Sequence, residues 1–205
     1  MIGQFVTTFL FVTAYAVIRY AGFGNVSLIH VPVYIMNKAV SMTAVVAMLM
    51  AVLSLKRSER DTVRFWTKAC SNLVFIHVFL SLGILSKGYF AKFFDGDKMS
   101  LTGELVLLQG VTALYCFWRL SSTELKPSIR RWLTILASTL VGGHLFVMGF
   151  DGWLQVQKWN GGMPPITLLS FLVVMCSTAM FLLAGEKNAA LLSPEGGAAP
   201  SKIGS

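Results

Sequence analysis

Six times along its 205 residues this chain runs through a stretch almost free of charge, each roughly 17 to 20 residues long, the length a bilayer of about 30 Å asks of an α-helix. The stretches fall at about 2–20, 36–55, 69–86, 101–119, 132–150 and 165–184. Backbone N–H and C=O groups find no water in hydrocarbon, so each stretch must satisfy them internally as a helix. The chain is therefore expected to be all-α, an integral membrane bundle of six transmembrane helices forming one domain over 1–184. Ser100 stands before the fourth stretch as an N-cap, with Glu104 near the positive end of the helix dipole. Pro164 and Pro165 suit the first turn of the sixth. The small, polar, Pro- and Gly-bearing stretch 185–205 is expected to be a disordered tail.

Charge confirms this class. Charged residues make up 13% of the chain, where soluble domains carry about 25%. The net charge of +8 does not point to nucleic acid, because the lysines and arginines lie in short connections between apolar runs. That is a topology signal. Lys56, Arg57, Arg60, Arg64 and Lys68 fall between spans two and three, and Arg119, Lys126, Arg130 and Arg131 between spans four and five. With Lys187 and Lys202 of the tail they outnumber Arg19, Lys38, Lys87, Lys92, Lys98 and Lys158 on the opposite side. The richer side is expected in the cytoplasm, and both termini with it. The first span begins at residue 2 with no basic segment before it and reads as retained rather than as a cleaved signal. Cys70, Cys116 and Cys176 form no CxxC or Cys/His cluster, so they read as free thiols and give no support to zinc, iron–sulfur or covalently attached haem.

Two histidines demand an explanation. His77 lies in SNLVFIHVFLSLGIL and His144 in LASTLVGGHLFVMGF, and a polar ring without a partner is costly in hydrocarbon. At about 1.5 Å per residue, His77 lies roughly 13 Å along span three from Lys68, and His144 roughly 20 Å along span five from Arg131. The spans run in the same direction, so the rings differ in depth by only about 6 Å before tilt. Neutral imidazole is a common axial ligand of haem iron, and facing helices would hold one iron between them. Gly142 and Gly143 beside His144 would leave room for a flat macrocycle. Leu140 and Met148, one turn to either side of His144, and Leu73, Val74, Leu80 and Ser81 around His77 would line it. Interhelical hydrogen bonding, or a proton or quinone site, explains the same pair, and the residues alone leave these readings open.

Other polar residues carry weaker signals. His30, next to Pro32, sits at the interface, where a histidine needs no function, although a ligand or quinone role is conceivable. Gln109 reads as an interhelical hydrogen bonder, and Glu104 or Gln109 would otherwise serve proton delivery or a quinone. Tyr89, Phe90, Phe93, Phe94, Trp153 and Trp159 read as interfacial anchors. No G-x-G-x-x-G, P-loop or nucleotide-binding unit occurs, so any electrons must come from a lipid-soluble carrier or another polypeptide.

The order of these segments resembles the ferric-reductase-like transmembrane domain family, over roughly residues 30–184. The resemblance rests on four elements in sequence: Pro32-x-x-x-x-Asn37-Lys38 entering a span, the His77 span, Ser100-x-x-Gly103-Glu104 entering the fourth, and Trp132 before the His144 span. It implies a six-helix bundle holding b-type haem, with His77 and His144 as the axial ligands of its iron. Two-haem members carry a second histidine thirteen or fourteen residues along each ligand helix. Here those positions are Phe90 and Ala91, Gln157 and Lys158, and, backwards, Val63 and Arg64, Arg130 and Arg131, so one haem b is the limit. Flavin and nicotinamide domains are missing, which makes an electron-transfer subunit the expectation rather than a complete enzyme. Such a subunit would lie in the bacterial inner membrane and work between quinone, or a donor subunit, and a redox partner protein. Lys87, Lys92 and the connection between spans five and six would meet the haem propionates. The rival expectation is a haemless scaffold or accessory subunit of a larger membrane complex.

Overall fold

The computed structural model describes residues 1–24, 29–122 and 125–184. Residues 185–205, expected to form the tail, lie outside these. Six helices are long and apolar enough to cross a membrane. In chain order, α1 is Ile2–Ala16, continued by a wider π turn over Val17–Gly22; α2 is Val31–Lys56 and α3 Arg60–Gly83. After the single turn α4, Lys87–Phe90, a two-stranded hairpin (β1 Phe94–Asp95, β2 Lys98–Met99) leads into α5, Leu101–Leu120. Then come α6, Pro127–Trp153, and α7, Ile166–Leu183. The expected membrane bundle is what this chain forms.

α2, α3, α5, α6 and α7 close a ring in which each packs on its neighbours, and α1 leans on α2 from outside. α3 and α6 share no extensive interface and face one another across the interior. The ring is filled at mid-height by Ala47, Ala51, Trp66, Cys70, Cys116, Phe117 and Ala137. Alanines on α2 let its neighbours approach closely, as small residues do in membrane bundles. α1 presents much of its length outward: Phe11 and Leu10 are exposed, as suits a helix facing lipid.

Two local features differ from the sequence expectation. α3 begins at Arg60 rather than near residue 69, leaving only Arg57, Ser58 and Glu59 between α2 and α3. Arg60, Arg64 and Lys68 are thus four apart on one helical stripe, not in a loop; Asp61 in the first turn favours the helix start. Several of the aromatic residues expected at the headgroups also turn inward. Phe93 is buried and stacks on Phe90 with centroids 5.3 Å apart. Trp153 is buried against Phe146, Phe150 and Phe171, and its Nε1 donates to Thr167 Oγ1 at 3.0 Å. The cap on α5 forms as expected, with Gly103 N donating to Ser100 Oγ at 3.2 Å. Buried Arg19 ties the π turn to the loop before α7 by donating to the carbonyls of Asn160 and Met163.

Candidate functional site

His77 lies six residues before the end of α3, and His144 nine before the end of α6. At about 1.5 Å per residue these are roughly 9 and 14 Å from the same end of the bundle. Both line one narrow cavity, of about 140 Å³, between α2, α3, α5 and α6. Val74, Ser81 and Met148 line it too, and Phe90 and Phe93 contribute from the connection above.

Each ring is fixed through Nδ1. His77 Nδ1 stands 2.7 Å from Asn37 Oδ1, and Asn37 Nδ2 in turn donates to Ser81 Oγ at 3.1 Å. His144 Nδ1 stands 2.9 Å from the Val106 carbonyl oxygen. A carbonyl only accepts, so Nδ1 carries the proton in both neutral rings and Nε2 keeps its lone pair. Neither Nε2 has a hydrogen-bond partner among the described residues. Gly110, one turn along α5 from Val106, packs against the His144 ring, and a Cβ there would meet it at 3.5 Å, an ordinary contact distance. Asn37 and Val106 are both buried, so neither anchor exchanges its histidine for bulk water.

This is the donor arrangement seen at metal-bound imidazoles, where the far nitrogen is held by an oxygen and the near one is left to the metal. No group of three or more His, Cys, Asp or Glu side chains comes together among the described residues. A bare zinc ion wants at least three protein ligands. Two imidazoles on one apolar cavity fall short of that number.

The sequence missed the cation of this site. Lys38, beside the Asn37 anchor, lines the cavity, with Nζ 5.2 Å from the Tyr34 ring centroid and no carboxylate within ion-pairing reach among the described residues. The expected propionate partner Lys87 is taken by Asp97 at 2.9 Å. Lys92 lies beside the Phe93 ring; burial pushes its amine below the usual lysine value, Lys38 adds to this, and Asp151 opposes it.

Gly142 and Gly143 do not leave room for a ligand. Gly142 faces Val174 and Met175 of α7, and a Cβ on Gly143 would come within 2.8 Å of Gln109 Nε2. Both serve helix packing, because α6 is pressed between α5 and α7. Gln109 is used there as a spacer, its buried Oε1 without a hydrogen-bond partner. Of the residues expected to line the site, Leu73 and Leu80 turn toward α1 and α2, and Leu140 packs into the mid-height core. Glu104 is exposed on the first turn of α5. His30 stands at the N-terminal boundary of α2 without a side-chain cap bond and packs on Tyr89 with centroids 4.5 Å apart, away from the cavity. Cys70 and Cys116 are buried and Cys176 exposed, all as free thiols. No protein-family model and no curated protein sequence matches this chain.

Proposed function

We propose that this protein is a membrane b-type cytochrome subunit, in which His77 and His144 are the axial ligands of a single haem b. The observation that carries this reading is the shared orientation of the pair: each Nδ1 spent on an oxygen, each Nε2 left over, both rings on one cavity. Held by the two imidazoles, such a group would supply one-electron transfer chemistry. Within this chain, Asn37 and the Val106 carbonyl orient the rings and raise their basicity. Lys38 offers a positive charge to an anionic arm of the group. Phe90 and Phe93, stacked over the cavity, keep water from its outer end.

On this reading the basic ends of α2, α3, α5 and α6 face the cytoplasm of a bacterial inner membrane, with both chain termini on that side. Electrons pass between quinone or a donor subunit and a redox protein docking on the other face, near α4 and the hairpin.

The test is a reduced-minus-oxidised spectrum of the purified full chain, with haem quantified against protein. One haem per chain and a Soret band that shifts on dithionite reduction support the reading. A second reading, a haemless scaffold, draws on the same hydrogen bonds, since His77 to Asn37 ties α3 to α2 and His144 to Val106 ties α6 to α5. A colourless preparation, expressed with haem supplied, favours the scaffold.

A further inference from the structure

The opposite end of the bundle holds a second, wider cavity, of about 550 Å³, which the histidine pair does not reach. Met48, Cys70 and Phe117 line both cavities and separate them. The walls of the second are apolar toward the middle of the bundle, with Met48, Cys70 and Ala137, and carry Arg64, Lys68 and Arg130 nearer the end, where Val52, Leu55 and Phe181 also lie. Among the described residues no aspartate or glutamate lines it.

Three observations give this cavity a ligand of definite chemistry. Arg64 and Lys68 lie one turn apart on the same stripe of α3, both exposed, and neither makes an ion pair among the described residues. Arg130 is buried and held in place by donating to the carbonyls of Leu120 and Ser122, each at 2.7 Å. Thr67, between Arg64 and Lys68, has a buried hydroxyl with no hydrogen-bond partner. Some helical hydroxyls, that of Thr43 among them, are buried without a partner, whereas those of Ser54, Thr134, Ser138 and Thr178 bond back to the carbonyl four residues earlier. Thr67 does not, and it lines the cavity. Basic pockets between helices at a membrane face are sites for anionic headgroups.

We infer that this cavity binds an anionic phospholipid, its phosphate met by Arg64, Lys68 and the Thr67 hydroxyl and an acyl chain lying deeper, on Met48, Cys70 and Ala137. A free phosphate has no use for the apolar walls, and a zwitterionic lipid has less use for the two cations. The site is separate from the histidine cavity and stands whether or not that cavity holds haem.

The test uses the full chain in detergent, titrated with dioleoylphosphatidylglycerol, dioleoylphosphatidylcholine or glycerol phosphate and read by native mass spectrometry and thermal unfolding. The glycerol lipid should bind at least about tenfold more tightly than the choline lipid, and glycerol phosphate should neither bind measurably nor compete. Arg64→Gln with Lys68→Gln should abolish that preference. Thr67→Val, close in shape and safe for folding, should weaken the glycerol lipid several-fold while leaving the choline lipid unchanged. Equal binding of the two lipids overturns the inference, as does glycerol phosphate binding as well as the lipid. If the double variant fails to fold, Thr67→Val decides alone, and an unaltered glycerol-lipid affinity in that variant also overturns it.

Discussion

The two cavities of this bundle are built on opposite plans. At the histidine end the polar groups that hold the rings are short and bonded, Asn37 to His77 and Ser81 and His144 to the Val106 carbonyl, with the cation Lys38 beside them. At the other end they are long, cationic and partly exposed, and the free hydroxyl of Thr67 stands between them. Short anchored groups fix a ligand's geometry, which a metal demands. Long cationic ones supply charge at adjustable positions, which suits a mobile headgroup. The contrast teaches that one apolar ring of helices encloses two cavities of different polar character, separated by Met48, Cys70 and Phe117.

The contrast breaks most visibly at the histidines. His77→Ala and His144→Ala should each abolish haem absorbance in the purified chain, while Arg64→Gln with Lys68→Gln leaves the spectrum as it was. A spectrum that survives both histidine changes would remove the difference between the two ends. Asn37→Leu should act less severely. Loss of the oxygen that orients His77 is expected to weaken haem retention about 10- to 100-fold, measured as haem transfer to a soluble apoprotein, with a displaced Soret maximum as the sign that the ligand field has changed.

Gly103→Ala probes the lid over the histidine cavity. A Cβ there would meet the Phe93 carbonyl oxygen at 2.6 Å and Phe93 Cβ at 2.9 Å, and backbone cannot swing aside. Overpacking of this kind costs about 1–3 kcal/mol, read as lower thermal stability in detergent. Gly83→Ala, with open space around it, should be neutral or stabilising by up to about 1 kcal/mol. The smallest effect concerns Lys92. Because burial and Lys38 lower its pKa, its neutral amine appears at lower pH than the ordinary lysine value implies. An amine-directed reagent in mildly alkaline buffer should label Lys92. Asp151 is the opposing influence, so Asp151→Asn should bring the labelling to lower pH still, and a shift upward would contradict the arrangement.

Much of the architecture was legible in the chain. Six apolar runs of spanning length dictate six helices, and Ser100 marks one start to the residue. That His77 and His144 come near one level followed from counting residues along two spans of the same direction. The immediate surroundings were harder to read. Periodicity locates a helix but not its rotation or its distance from a neighbour, so Gly143 gave no sign that it meets Gln109 rather than a ligand. Asn37 and Lys38 stood in view as a motif, yet nothing in α2 alone tells which side chain of α3 the amide will reach. The basic stripe of Arg60, Arg64 and Lys68 misled for a different reason. Hydropathy ends a span where charge begins, whereas the backbone continues as a helix as long as its hydrogen bonds are met and its charged ends reach the interface.

The central claim is that two imidazoles from facing helices ligate one iron. Electron paramagnetic resonance of the oxidised, purified chain addresses it directly. The account predicts a low-spin ferric signal at one iron per chain, replaced by a high-spin signal or by none when either His77 or His144 becomes alanine. A preparation without iron, or a low-spin signal indifferent to both substitutions, would contradict it.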